Sequence, residues 1–424
     1  MSSLFETSSP KEKMIDSSTS SVLMDMRQAV FNGPPFSYRV GSSTLHVQTK
    51  FVSIVALAGL MCLIILFLAL PSYHISGSNL TSNLWTHGEE HGHGHKHNRN
   101  WFTSYNSTYP LTPPVYSARG YIKYRIAIIS DLDTSSKVPS KDNLWISYLK
   151  KGYLTINIDS LEVTAIEWDK DTISLESQMA YGGRGMELSE LVTFNGKLYA
   201  LDDRTGIVYE IDSSRNKAIP WVILTDGNGR ESKGFKGEWA TVKDDTLIIG
   251  GLGKEWTSPT GELLNHNPQF VKTITPQGFI QHHDWTQNYE KLREADNIHF
   301  PGYLIHESCV WSEIWQRWIF LPRRASSDKY TEDEDEHRGT NLMLQATEGF
   351  EDIKVSRVGD VIETHGFSSF KFIPGTKDRL IVALKSEEIG GKAATYVMAF
   401  DISGKIIFPE KKIADYKFEG IEFI

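Results

Sequence analysis

Apolar and polar positions alternate in short runs over most of the chain, from about residue 120 to its end. Runs rich in Val, Ile, Tyr, Phe and Trp are separated by Asn-Gly, Asp-Gly, Asp-Asp and Pro-Gly pairs. Period-two alternation bounded by turn residues is typical of β-strands that are joined by tight turns. The pattern therefore predicts an all-β folded region.

Four stretches of this region share one arrangement, in which a Ser or Glu is followed by an apolar alternation, a turn and a second apolar strand. They are SELVTFNGKLYALDD from Ser189, EWATVKDDTLIIGGL from Glu238, ESCVWSEIWQRWIFLP from Glu307 and SSFKFIPGTKDRLIVALK from Ser368. The first two share their register, because Leu198 and Leu247 each stand nine residues after the start of their repeat. A truncated fifth copy, EGIEFI, begins at Glu419.

A hairpin that recurs every 49 to 69 residues is typical of the blades of a β-propeller. Five such units predict a five-bladed β-propeller. Propellers close their ring by combining strands from both ends of the chain, so we expect the truncated repeat to pair with YRIAIISDLD, residues 124–133. A β-sandwich or two smaller β domains are the alternatives, and neither explains the equivalent polar residue at each repeat start.

The five repeat starts would converge on the axis of a propeller, where the innermost strands surround a central channel. Glu238, Glu307 and Glu419 would then form a group of three carboxylates, which repel one another unless a cation or shared protons neutralise them. Ser189 and Ser368 would add neutral oxygens from hydroxyl or main chain. An irregular shell of oxygens without His or Cys favours calcium. The alternative is that all five are ordinary polar residues at strand ends.

An uncharged run of 20 residues at 51–70 is long enough to cross a bilayer. We predict an uncleaved signal-anchor, since a cleaved signal peptide would have a shorter apolar region and would rarely begin so far into the chain. Positive charges precede the run and Lys50 abuts it. The positive-inside rule therefore places the tail in the cytosol and the rest of the chain in the lumen or outside.

The predicted organisation is a disordered cytosolic tail, a transmembrane signal-anchor, a lumenal stalk and the propeller, over residues 1–50, 51–70, 71–119 and 120–424. Two sequons place glycosylation acceptors at Asn79 and Asn106 on the lumenal side. The stalk contains HGEEHGHGHKH, residues 87–97. This segment is either a loose zinc or copper site or a hydrophilic spacer that happens to be rich in His.

The net charge of −9 provides no basic footprint and argues against nucleic acid as a partner. Several loops nevertheless combine basic, acidic and aromatic residues that no turn requires. Their basic residues suit phosphate oxygens, Trp256 offers a face to a nucleotide base, and Asp131, Asp133 and Asp203 suit metal binding or activation of water. Taken singly, each of these residues is more typical of a surface salt bridge or a turn. The basic residues are Arg184, Arg204, Lys254, Arg323 and Arg324.

Long motifs over about residues 120–424 closely resemble the soluble calcium-activated nucleotidase, or apyrase, family. They are SDLDT, GRGMELSELVTFNGKLYALDDRTG, KGFKGEWATVKD, GGLGKEWT, HESCVWSEIWQRWIFLPRRAS, HGFSSFKFIP, ALKSEE and EGIEFI. The resemblance implies a five-bladed β-propeller with calcium in its central channel that hydrolyses nucleoside di- and triphosphates. It also implies calcium ligands at the five repeat starts, catalytic roles for Asp131, Asp203 and Arg323, and substrate binding at Trp256.

Vertebrate members that resemble this chain are membrane-anchored in the secretory pathway and prefer UDP and GDP. We therefore expect a single-pass type II protein of the endoplasmic reticulum or Golgi membrane that hydrolyses nucleoside diphosphates in the lumen; the resemblance leaves a homodimer open. The alternatives are a secreted apyrase that degrades ADP and ATP, a non-catalytic propeller that binds a partner, and a lactonase-like propeller with axial calcium. Clustered arginines favour phosphate over a neutral ester.

Overall fold

The structure is a computed structural model, and it describes residues 36–40, 43–47 and 105–424. The predicted anchor at 51–70, the sequon at Asn79 and the His-rich segment lie outside the described residues. Within the described ranges, no helix is long and apolar enough to cross a membrane. The division into tail, anchor, stalk and catalytic domain stays a prediction.

Two short strands, β1 (Phe36–Val40) and β2 (Ser43–Val47), form an antiparallel pair. They lie in the N-terminal segment for which the sequence predicted no regular structure. Apolar residues alternate with polar ones at Phe36, Tyr38 and Val40, which is the period of a strand. This alternation at 36–40 is consistent with the observed strand.

The remaining described residues contain five large antiparallel sheets and one two-stranded hairpin, and the first large sheet is built from both ends of the chain. The N-terminal part of this closing blade supplies β3 (Val115–Tyr116), β4 (Tyr121–Ser130), β5 (Trp145–Asn157) and β6 (Glu162–Ser177), with a 3₁₀ turn at Asp133–Ser136. The C-terminal strand β25 (Phe418–Phe423) pairs with β4, from Phe418 opposite Ser130 to Phe423 opposite Ile126. The predicted closure of the ring is confirmed.

The next two blades follow the chain in simple meanders. Blade 1 contains β7 (Leu188–Phe194), β8 (Lys197–Asp202), β9 (Ile207–Asp212) and β10 (Lys217–Ile223). Blade 2 contains β11 (Trp239–Lys243), β12 (Thr246–Gly250), β15 (Phe270–Ile274) and β16 (Ile280–Asp284). Between β12 and β15 the chain inserts a small hairpin, β13 (Trp256–Thr257) and β14 (Leu263–Asn265), and a 3₁₀ turn at Asn267–Gln269. We call this hairpin the flap.

The last two blades have longer inner strands. Blade 3 contains β17 (Tyr303–Ser312), β18 (Arg317–Ser326), β19 (Leu342–Thr347) and β20 (Ile353–Arg357). Blade 4 contains β21 (His365–Phe372), β22 (Leu380–Ile389), β23 (Lys392–Asp401) and β24 (Ile406–Ala414). Two helices interrupt the strands, α1 (Thr286–Ala295) before blade 3 and the short α2 (Glu332–Asp335) after β18. The all-β prediction omitted α1, which buries Tyr289, Leu292 and Arg293 at helical spacing.

The innermost strands form a closed ring in the order β7, β11, β17, β21, β25 and back to β7. Each space between neighbouring blades is filled by its own apolar cluster, such as Ile128 and Val382 between the closing blade and blade 4. The other four spaces are filled in the same way. The five-bladed β-propeller predicted from the repeats is confirmed.

Residues 105–119, which the sequence placed in the stalk, contact the propeller. The ring of Tyr105 lies 5.6 Å from that of Phe194, and the hydroxyl of Tyr109 donates to Glu422 Oε1 at 3.0 Å. These contacts bury part of the segment against blade 1 and β25. The packed structure thus begins upstream of residue 120.

Candidate functional site

The five repeat starts share one backbone feature, a break in strand pairing at the same end of each innermost strand. A break in register occurs at four of them, between Leu188 and Glu190, His306 and Cys309, Phe367 and Ser369, and Phe418 and Gly420. At the fifth, the N–H of Glu238 donates to the carbonyl of Gly250, which also pairs with Trp239. A bulged residue leaves the ladder and re-aims its side chain. Strand pairing is therefore interrupted at all five predicted ring positions, and three of them, Glu238, Glu307 and Glu419, line the cavity described below.

The two serines of this ring are buried and use their hydroxyls differently. Ser189 Oγ donates to the carbonyl of Gly237 at 2.6 Å, so its hydrogen is engaged between blades 1 and 2. Ser368 is fully buried, and its Oγ has no hydrogen-bond partner within residues 105–424. An orphaned buried oxygen beside a bulge is suited to a ligand that the protein does not itself supply.

The three ring glutamates face basic side chains. Arg323 Nη1 lies 2.5 Å from Glu307 Oε2 and 3.0 Å from Glu419 Oε1, and Arg323 Nη2 pairs with Glu388. Burial raises the pKa of Glu238 to about 8, although the nearby Lys236 opposes that shift. Burial also raises the pKa of Glu419 well above its ordinary value, and Glu307 adds to the effect. Burial and mutual repulsion therefore disfavour the simultaneous ionisation of these carboxyl groups.

One cavity of about 690 Å³ opens above the ring. Every predicted catalytic, substrate-binding and metal-ligating residue lines it except Ser189 and Ser368, which lie buried in the bulges below. Its lining includes eleven carboxylates and seven basic side chains. The structure therefore brings charged residues from all five blades to one cavity.

Two lysines that the sequence did not single out neutralise part of this charge. Lys417 Nζ lies 2.8 Å from both Asp131 Oδ2 and Asp133 Oδ2 and 3.7 Å from Glu419 Oε1. Lys236 Nζ pairs with Asp203 and lies 2.7 Å from Glu238 Oε1. Burial would lower the pKa of each lysine, but these carboxylates more than offset it and hold the pKa well above its ordinary value.

Both lysines stand two residues before a repeat start, and so does Glu187. Each lies just before its innermost strand, at the end of the strand where the repeat start lies. All three do line the cavity. The repeat register therefore contained the signal for these residues, whereas Glu388, on β22, had no comparable signal.

An acidic cluster lies at the edge of the cavity, where Asp131, Asp133 and Glu187 bring oxygens within 4.8 Å of one another. Arg184 Nη2 lies 2.5 Å from Glu187 Oε2 and 3.5 Å from Asp133 Oδ1. Burial raises the pKa of Asp133 and of Glu187. Arg184 thus serves here as a counter-ion, and its predicted contact with substrate phosphate stays a prediction.

The flap forms the opposite wall. Lys254 Nζ donates to the carbonyl of Glu255 at 2.9 Å and to Thr257 Oγ1 at 3.0 Å, and it lies 4.2 Å from the centre of the Tyr330 ring. Burial lowers the pKa of Lys254 to about 8. Trp256 is half-buried, with Lys233 Nζ 4.4 Å from its ring centre. The wall combines aromatic faces with one weakly basic amine.

The residues fit a hard cation at the ring. Three buried carboxylates line the cavity at the ring, the ring contains no His or Cys, and Ser368 Oγ is orphaned in the described propeller. Oxygen donors of mixed charge on irregular backbone are what calcium accepts most readily. The donor set therefore agrees with the cation that the sequence predicted, and the assignment of individual ligands stays a prediction.

Of the two predicted glycosylation acceptors, only Asn106 is described. It is exposed, its N–H donates to Asn195 Oδ1 at 2.8 Å, and its Oδ1 accepts from the N–H of Thr108 at 3.0 Å. The sequon thus forms a local turn on the surface of the propeller. Modification at Asn106 and at Asn79 stays a prediction.

Comparison with known proteins gives concordant matches. A protein-family model described as Apyrase matches residues 132–424. Soluble calcium-activated nucleotidase 1 of Rattus norvegicus is 58% identical over 322 residues, which cover 76% of this chain and 79% of the relative. An apyrase of Cimex lectularius is 39% identical over 390 residues, which cover 92% of this chain and 99% of the relative. Apyrase apy-1 of Caenorhabditis elegans is 47% identical over 308 residues, which cover 72% and 85%.

Proposed function

Because the chain belongs to the apyrase family, as its motifs indicated, we propose that it hydrolyses nucleoside diphosphates, with UDP and GDP preferred, and some triphosphates. The products are the nucleoside monophosphate and phosphate. One observation carries this proposal: a single cavity collects the ring carboxylates, two adjacent arginines, and a tryptophan on the flap. Phosphate oxygens require cationic partners, and a nucleotide base requires an apolar face.

Calcium is the proposed cofactor, in agreement with the printed name of the rat relative. Glu238, Glu307 and Glu419 would hold it together with oxygens of Ser189 and Ser368. When bound, the ion supplies positive charge beside the phosphoryl oxygens, which is the main requirement of phosphoanhydride hydrolysis. The other roles belong to side chains of this chain.

Of the two candidate aspartates, Asp203 is the better acceptor for the attacking water. Asp131 uses both oxygens, because Oδ1 accepts from the N–H of Asp133 at 2.8 Å and Oδ2 pairs with Lys417. Asp203 pairs with Lys236 through Oδ2, and its Oδ1 has no hydrogen-bond partner in the described propeller. A general base or water-orienting group must have such a free acceptor. We therefore assign the orientation or deprotonation of the attacking water to Asp203.

The two adjacent arginines have different proposed roles, one toward the ring glutamates and one toward the substrate phosphate. Arg323 contacts three carboxylates, as described above, so it keeps the ring glutamates apart and in place. Arg324 is also buried, yet its polar side-chain contacts in the described propeller are Asp335 at 3.9 Å and the Thr364 carbonyl at 3.5 Å. Its guanidinium has donors left for phosphate. Trp256, with Arg204, would complete the binding of the nucleotide.

For location, we propose a single-pass type II protein with its propeller in the lumen of the endoplasmic reticulum or Golgi, glycosylated at Asn79 and Asn106. The support is the apolar run at 51–70, the charge before it and the position of both sequons. Protease protection in sealed microsomes tests the orientation. Digestion of the propeller in intact vesicles would contradict it.

The test of activity is phosphate release from a panel of UDP, GDP, ADP and the triphosphates by the full chain, with calcium and with a chelator. Glu238→Gln removes one ring anion at constant volume, so calcium affinity and turnover should both fall. Stability in calcium should fall as well, because a ligand that binds only the folded state stabilises it. A folded protein that binds nucleotide without releasing phosphate would instead be a binding module.

A further inference from the structure

Three residues that directly follow ring positions meet beneath the ring. Glu190 follows Ser189, Ser369 follows Ser368 and Gly420 follows Glu419. Ser369 Oγ donates to Glu190 Oε1 at 2.8 Å and accepts from the N–H of Ile421 at 3.2 Å. One hydroxyl therefore joins the innermost strands of blade 4, blade 1 and the closing blade.

Gly420 makes this meeting possible. Its strand, β25, lies between β21 and β7 in the ring, so Ser369 and Glu190 must reach each other past it. A Cβ on Gly420 would lie 2.7 Å from Glu190 Cα and closer still to the N–H nitrogen of Leu191. Real Cβ atoms do not approach backbone that closely, so glycine is required by space.

The carboxylate of Glu190 is held on both sides. Its Oε1 also accepts from the N–H of Leu191 at 2.8 Å, and its Oε2 lies 3.1 Å from Lys371 Nζ. Glu190, Ser369 and Lys371 are all at most 5% exposed. A buried carboxylate that accepts two hydrogen bonds and faces a lysine is fixed to a narrow range of positions. We call Glu190, Ser369 and Gly420 the sub-ring clasp.

We propose that the sub-ring clasp positions the ring oxygens of Ser189, Ser368 and Glu419 for the cation, acting one residue away from each. This inference rests on the proposed calcium ring. Ligand oxygens must all reach a metal at nearly one distance, and groups behind the ligands determine how well they do so. The clasp sets the spacing of three neighbouring bulges, so it acts through the ligands and does not touch the cation.

The test is calcium affinity, measured by isothermal titration calorimetry with calcium alone on the chelator-treated full chain. Ser369→Ala removes the bridging hydroxyl and should weaken calcium binding by about 10- to 100-fold, the range for groups behind metal ligands. Ser369→Cys keeps the shape of the side chain with a somewhat larger atom that donates poorly, so it should weaken binding in the same direction, and it serves if the alanine variant does not fold.

Ser312→Ala is a matched control. Ser312 is equally buried, donates to Asp378 Oδ2 at 2.7 Å and accepts from the N–H of Trp315 at 3.0 Å, at the far end of β17. The Ser312→Ala variant should lower stability in chelator as Ser369→Ala does, and it should leave calcium affinity within twofold of wild type.

Two results would overturn the inference: wild-type calcium affinity in folded Ser369→Ala, or an equal loss in Ser312→Ala. If the wild-type chain binds no calcium, or Glu238→Gln binds it normally, the calcium ring itself fails. The two failures are therefore distinguishable.

Discussion

Arg323 and Arg324 are adjacent, both are buried and both line the cavity, yet their contacts predict opposite consequences of mutation. The sequence assigned Arg323 to catalysis and Arg324 to substrate binding. In the structure, Arg323 pairs with Glu307, Glu388 and Glu419. Burial and the neighbouring Arg323 lower the pKa of Arg324, whose own ion pair with Asp335 is long.

Arg323→Met should therefore act mainly on stability. Removing one partner of a buried ion pair costs about 3–5 kcal/mol, because the other charge is left uncompensated. For a domain of this size that corresponds to a fall in Tm on the order of 5–10 °C in chelator. Calcium should reduce this deficit, since the metal restores positive charge to the same glutamates. Turnover also falls as the ring is disturbed.

Arg324→Met should instead act on substrate. Its loss in kcat/KM is expected to be about 10²- to 10³-fold, by analogy with the removal of one donor to a developing oxyanion. Its Tm in chelator should stay close to wild type, because the side chain has weak partners in the folded protein.

Steady-state kinetics with UDP and thermal melts with and without calcium measure both effects on the same preparations. Equal losses of Tm in chelator for the two variants would refute the division of roles. Normal UDP hydrolysis by folded Arg324→Met would remove it from the phosphate site.

Three further changes test other parts of the site. Asp203→Asn should abolish UDP turnover while calcium still raises Tm. Near wild-type hydrolysis by this variant would instead indicate that Asp131 orients the attacking water. Arg293 Nη1 lies 3.1 Å from Glu255 Oε1 in a buried ion pair behind the flap. Arg293→Met should therefore lower the free energy of unfolding in urea by about 3–5 kcal/mol. The double variant Arg293→Met with Glu255→Met should recover most of that stability, and no recovery would contradict the pairing. Burial lowers the pKa of Lys254 to about 8, below the ordinary value near 10.4. Between these pH values Lys254 is protonated in the unfolded chain and neutral in the folded chain, so the free energy of unfolding should rise with pH. Lys254→Met should lose that rise, and an unchanged dependence of stability on pH would contradict the shift.

The parts of the fold that the sequence predicted are those that repeat. The hairpins that start at Ser189 and Glu238 could be aligned because each turn and strand recurs at the same offset. The flap and α1 occur once, in blade 2 and after it, so no register pointed to them. Helix α1 is short and buries Tyr289, Leu292 and Arg293, a mixed face with little apolar periodicity.

The break in strand pairing at the predicted ring positions could not be read from the sequence. A bulge is a backbone event, and no residue type marks it reliably. The sequence pointed to these positions only because the same polar position recurred at Ser189, Glu238 and Glu307. The counter-ions Lys236 and Lys417 each stand two residues before a ring position, but lysine beside a turn is ordinarily exposed, and only the fold shows that Lys417 is buried and Lys236 half-buried.

The charges of the cavity explain why a cation belongs in it. Its eleven carboxylates exceed its seven basic side chains, and a nucleoside diphosphate adds further negative charge. Arg323, Lys236 and Lys417 are already engaged with Glu307, Glu238 and Asp131, so they balance the acids of the protein and leave little for the substrate. A divalent ion at the ring would both relieve the glutamates and let phosphate approach them. Metal dependence thus follows from the charge balance at substrate binding as well as from the chemistry of the transition state.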